Sequence, residues 1–116
     1  MYKLNVSDTV EFPVTLTVND AGTPREFTLR LQAKRLTDQA LDAARDSNLK
    51  TEAFLAEHIT GWRDQTLVIN ADGTPADYTP EALAVLLGLG GARLAVLSAY
   101  QRALAGADGL GGRAKN

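Results

Sequence analysis

The amino-acid sequence predicts an α+β fold, an N-terminal antiparallel β-hairpin packed against about four α-helices, and three observations carry that prediction. From Val10 to Val18 the apolar residues Val10, Phe12, Val14, Leu16 and Val18 alternate with Glu11, Pro13, Thr15 and Thr17. This is the period-2 pattern of a strand with one buried face. Phe27, Leu29, Leu31 and Ala33 repeat it after a turn-forming stretch. From Thr37 onward the apolar spacing becomes helical, and Tyr78-Thr79-Pro80-Glu81 is a strong helix start.

In chain order, Pro13 has no N–H for a ladder, so the first strand belongs at a sheet edge or turns that position toward solvent. Asn19-Asp20-Ala21-Gly22-Thr23-Pro24 supplies the turn, longer than a two-residue hairpin needs, with Gly22 expected at positive φ. A two-stranded pair is marginal alone and needs another layer on its apolar face.

Thr37 and Asp38 open a short helix expected to reach Asp46 or Ser47, with Leu36, Leu41 and Ala44 as a thin apolar stripe. Ser47-Asn48-Leu49-Lys50 breaks it. Thr51 is expected to cap the next helix, which places Leu55, Ile59 and Trp62 on one face and Phe54 and His58 in the adjoining column. Leu67-Val68-Ile69, bounded by turn residues, reads as a short third strand or an extended connector, and Asp72-Gly73 as a turn. Thr79 as N-cap, Pro80 at the first helical position and Glu81 against the dipole then begin a helix carrying Leu83, Leu86 and Leu87, with Val85 beside them. Gly88, Gly90 and Gly91 stop it. The last helix starts near Ala92, with Leu94, Leu97, Tyr100 and Leu104 on one face and Val96 broadening it, and ends at Gly106. Residues 1–106 therefore read as one domain, and 107–116, with three glycines and little to bury, as a flexible, weakly basic tail.

The chain of 116 residues is one domain's worth, able to bury roughly two thirds of its unfolded surface. Twelve Lys and Arg are scattered among fourteen Asp and Glu, which disfavours a nucleic-acid partner. With no cysteine there is neither a disulfide framework nor thiolate chemistry. Met1 to Asp8 lacks the plan of a signal peptide, and no apolar run approaches a membrane span.

The single Trp and single His draw attention first. Trp62, at the end of an amphipathic stretch, reads as an anchor with its N–H on a nearby carbonyl. His58 has no second His, Cys or convergent carboxylate at ligand spacing, and the Asp72 turn lacks the other ligands of a calcium loop. No catalytic residue, cofactor site or metal site is predicted, so an enzyme is disfavoured.

Several segments occur in an order that resembles the tail assembly chaperones of long-tailed phages and prophages. They are Phe27 to Leu36, Phe54-Leu55, Ile59-Thr60-Gly61-Trp62, Asp72-Gly73-Thr74-Pro75, Tyr78 to Leu83, Leu86-Leu87, Ala99-Tyr100 and Arg113-Ala114-Lys115-Asn116. Gly88-Leu89-Gly90-Gly91 departs from the bulkier, Pro-containing connector common in that family. The resemblance implies stoichiometric binding of tape-measure protein and tail-tube subunits in the cytoplasm of a bacterial host, without catalysis, cofactor, nucleic acid or membrane. Self-association is compatible with it. The three helical apolar faces exceed what two strands can cover; most of their residues are expected to pack together as one core, and the resemblance implies that the remainder is left for partners. The candidate surface is the final helix and tail, with Tyr100, Arg102, Leu104, Arg113 and Lys115. The competing readings are a small structural tail component, such as a tube or terminator protein, and a generic bacterial interaction adaptor.

Overall fold

The computed structural model describes residues 2–46 and 50–106, with the backbone alone for Arg45 and Asp46. The fold is α+β, a three-stranded antiparallel sheet in the order β1-β2-β3 with four helices among the described residues. Strands β1 (Thr9–Asp20) and β2 (Thr23–Lys34) form a long hairpin that pairs Phe12 with Leu31, Val14 with Leu29 and Leu16 with Phe27. The alternation read from the sequence is the burial pattern: Val10, Phe12, Val14, Leu16, Leu29, Leu31 and Ala33 are all buried.

The turn is tighter than expected. Asp20 pairs with Thr23, so Ala21 and Gly22 alone turn the chain, both at positive φ (54° and 92°) as a type I′ turn requires. The Gly22 N–H donates to Asn19 Oδ1 (2.7 Å), which helps hold Ala21 in its unfavourable conformation. Hydrogen-bonded and non-hydrogen-bonded pairs alternate along such a ladder. Counting from the closing Asp20–Thr23 pair, Glu11, Pro13, Thr15 and Thr17 turn their backbone groups away from β2, toward the open edge. Pro13 therefore sits where its missing N–H breaks no bond within the sheet.

The third strand is not Leu67-Val68-Ile69. It is β3 (Ile59–Arg63), antiparallel to β2. Helix α2 (Thr51–His58) ends where Ile59 turns extended (φ −76°, ψ 131°), so Leu55, Ile59 and Trp62 do not form one helical face. Two β-branched residues, Ile59 and Thr60, favour this switch, and pairing with β2 completes it. At Gly61 a Cβ would lie 2.7 Å from Gln32 Oε1, so a larger residue there would displace the end of that flexible side chain. Ile69 keeps one isolated bridge, to Pro75. Thr51 is also not the cap expected, since it is already the first helical residue and Lys50 precedes it without a side-chain cap.

Helix α1 (Asp38–Asp46) is capped as expected, Thr37 Oγ1 accepting from the Ala40 N–H (3.0 Å), and Leu41 and Ala44 are only partly buried. Ser47 to Leu49 lie outside the described residues. Thr79 caps α3 (Pro80–Leu87) by accepting from the Ala82 N–H (3.0 Å). After a connector in which Gly91 takes φ 83°, α4 (Ala92–Leu104) leaves at 109° to α3. Helix α4 lies along β1, and α2 and α3 pack against it.

The buried stripe of α4 is rotated from the one expected. Ala92, Val96, Ala99 and Tyr100 face the core, while Leu94 is 71% exposed and Val85 of α3 is 65% exposed. The strand face already carries Phe12, Val14, Leu29 and Leu31. An alanine-rich stripe lets the helix approach it at native packing density, whereas a leucine stripe would overpack the interface.

Residues 64–78 form an irregular segment held by one buried amide. Gln65, 4% exposed, donates through Nε2 to the carbonyls of Val68 (2.8 Å) and Ala76 (3.0 Å) and accepts from the Val68 N–H (2.8 Å). Trp62 Nε1 also donates to the Ala76 carbonyl (3.2 Å), and Trp62 and Tyr78 meet edge to face with centroids 5.3 Å apart. Trp62 is thus the anchor expected. Gln65→Leu leaves the buried Val68 N–H without an acceptor, while the Val68 and Ala76 carbonyls keep the Ala76 N–H and Trp62 Nε1 as donors, and should cost about 2 kcal/mol, read as a lower urea midpoint with unchanged m-value.

Candidate partner-binding surface

Of the residues expected to meet partners, the described ones share α4 but not an exposed surface. Tyr100 is fully buried: it stacks on Phe12 (centroids 5.6 Å, 16° between planes), lies 6.2 Å from the ring of Phe54, and its hydroxyl donates to the Lys34 carbonyl. It belongs to the core and is withdrawn from the candidate surface. Arg102 is exposed on α4, with Nη1 donating to Ser98 Oγ (2.8 Å), and Leu104 is partly buried. Arg113 and Lys115 lie outside the described residues.

His58 packs on Phe54 (4.5 Å), its Nδ1 within 2.8 Å of the Phe54 carbonyl, an arrangement within one helix turn. Asp72 accepts from the N–H (3.0 Å) and hydroxyl (2.6 Å) of Thr74, and these bonds hold its carboxyl below the usual range as part of a turn with Gly73 at φ 88°. Among the described residues no group of three His, Asp or Glu side chains could hold a metal ion. No single described helix is long and apolar enough to cross a membrane.

The helix-free face of the sheet is polar. Thr15 and Thr28 bond across the hairpin (3.1 Å), and Glu11 ties the three strands together by accepting from Arg30 Nε (2.7 Å) and Arg63 Nε (3.0 Å). The Arg30 hydrogen bond, aided by Arg63 and Gln32, keeps the Glu11 carboxyl below its ordinary value against the opposing effect of burial.

The apolar exposure lies elsewhere. Leu94 and Val85 stand out from the two C-terminal helices, Ile69 is 56% exposed, and Tyr2, Leu4 and Val6 of the N-terminal arm are 101%, 74% and 57% exposed. Where α4 passes the edge of β1, its small residues leave an open groove of about 390 Å³ lined by Pro13, Val14, Thr15, Ala95, Ser98, Ala99 and Arg102. The sequence signal for this groove was the run of small residues on α4, and it is recognisable only once β1 is known to lie beside it.

Compared with protein-family models, curated proteins and solved structures, the chain gives no significant match to any of the three.

Two titrations check this geometry. Burial raises the Tyr100 hydroxyl from 10.0 to about 12. An unfolded chain ionises this group first, so its contribution is intact below pH 10 and is lost as pH rises toward 12. Relative to Tyr100→Phe, the native protein should lose about 2–3 kcal/mol of stability over that window in denaturant melts. For Glu11 the sign is opposite. Its lowered value stabilises the fold above the unfolded value of 4.5 and the benefit disappears as pH falls below it. The advantage over Glu11→Gln, about 1 kcal/mol at neutral pH, should therefore vanish toward pH 3 in the same melts.

Proposed function

We propose that this protein is a tail assembly chaperone of a long-tailed phage or prophage, binding tape-measure protein and tail-tube subunits stoichiometrically and shielding their aggregation-prone segments before the tube polymerises. The observation that carries the reading is the apolar surface kept on the two C-terminal helices, where Leu94 and Val85 project from elements whose opposite faces are buried. Solvent-facing leucine and valine on short helices are what a surface for apolar client segments requires. The ordered segments of the resemblance support it as well. Gly61-Trp62 lies in β3, Asp72-Gly73 in the turn after it, and Thr79-Pro80 at the start of α3, so they recur at joints on which this architecture depends.

The client surface is accordingly assigned to the outer side of α3 and α4, with Val85, Leu94 and Arg102, and Tyr100 supports it from beneath. Client binding there involves no bond making or turnover.

Co-expression of the tagged chain with the tape-measure and tail-tube proteins of the same phage should yield a soluble complex. Leu94→Asp and Val85→Asp should each weaken capture at least tenfold while leaving stability within about 0.5 kcal/mol, because both side chains are already in water. Removal of residues 107–116 tests the tail separately. If neither client is retained and the chain assembles into stable rings, it is a structural tail component.

A further inference from the structure

Residues 2–6 carry an unused strand pattern. Tyr2, Leu4 and Val6 alternate with Lys3 and Asn5, all five are exposed, and among the described residues no hydrogen bond ties this arm to the rest of the fold. Alternating apolar residues of this kind are at home on a half-covered sheet edge. One such edge is open. From Glu11 onward β1 turns the backbone groups of alternate residues outward, and α4 walls the groove beside it with Ala95, Ser98 and Ala99.

The arm cannot fold back onto its own β1. That would need Ser7-Asp8 as the hairpin turn, yet the chain bends at Asp8, and Arg35, just past the end of β2, engages the carbonyls of both residues. The Arg35 N–H donates to the Asp8 carbonyl (2.7 Å), and Arg35 Nε donates to the Ser7 carbonyl (2.7 Å). We propose that the arm of one copy adds as a strand to the β1 edge of a second copy, giving a symmetric, arm-exchanged dimer.

The register supports this occupant. Antiparallel pairing of Leu4 with Val14 sets Tyr2 opposite Leu16 and Val6 opposite Phe12, so the apolar residues take the helix-covered side. Lys3 and Asn5 then lie opposite Thr15 and Pro13 on the polar side. The same register applied to the other copy's arm repeats these pairs about a twofold axis between the two Thr9 residues, as an isologous interface demands. Five extended residues span about 17 Å, the length of Phe12–Leu16. Two arms with six large apolar side chains and their backbone cover about 1,200 Å², the lower range of specific interfaces. Pro13 withdraws one donor from this ladder, which keeps the association reversible.

The test uses the full chain and is independent of any client. Sedimentation equilibrium should show a monomer–dimer equilibrium, weakened at least tenfold by Leu4→Ser with Val6→Ser and tightened about tenfold by Pro13→Thr. Circular dichroism should find the fold unchanged, because the arm lies outside the core. The cysteine-free chain also permits a direct read of the register. A Lys3→Cys chain mixed with a Thr15→Cys chain should form a covalent heterodimer under mild oxidation well above the level reached with Glu26→Cys, on the middle strand. A monomer at every concentration, a dimer indifferent to the arm variants, or cross-linking equal to the Glu26→Cys control would each overturn the proposal.

Discussion

The packing of α4 against the hairpin, centred on Tyr100 and Phe12, is the contact on which the rest depends. A two-stranded ribbon cannot hold itself in water, and five-residue β3 adds little cover. Tyr100 closes the gap from the helix side. Its ring stacks on Phe12 and reaches Phe54, while its hydroxyl satisfies the Lys34 carbonyl, so one side chain joins α4 to β1, β2 and α2. Burial of rings such as these contributes about 2 kcal/mol each, and the hydroxyl fixes the helix lengthwise in a way that apolar contact alone cannot.

From that contact the asymmetry of the molecule follows. One sheet face is committed to the core, which forces the charged and hydroxyl residues of β1 and β2 to the other, where Glu11 and its arginines bind three strands together without apolar help. Since α4 turns alanines inward, its leucines are left partly or largely outside. The close fit of small residues against a bulky strand face thus produces both the exposed outer side of α4 and the trough beside β1. The proposed client surface rests on projecting helical side chains and the proposed arm exchange on open backbone and the edge groove, with Arg102 bordering both.

The elements written in local chemistry were legible. Hairpin alternation, the positive φ at Gly22, the Thr37 and Thr79 caps and the Trp62 N–H on a carbonyl each depend on a few neighbouring residues. Where distant partners compete, the local reading failed. Ile59 to Trp62 satisfy a helical period, yet β2 offers that segment a ladder in which Gly61 lies opposite Gln32. From its place in the final helix before the glycines Tyr100 reads as partner surface, yet it turns inward with Val96 and Ala99 while Leu94, of the same expected stripe, stays in water. Gln65 carried no signal at all, since its three bonds go to backbone groups that any sequence possesses.

By itself, then, the sequence determined the fold class, the two long strands with their buried face, and the places where α1 and α3 begin, because these rest on side-chain alternation and capping within a few residues. Only the tertiary structure decided which segment became the third strand, which stripe of α4 faced inward and which apolar residues stayed in water. Those outcomes turn on matching volumes and hydrogen bonds between segments far apart in the chain, and no local pattern records them.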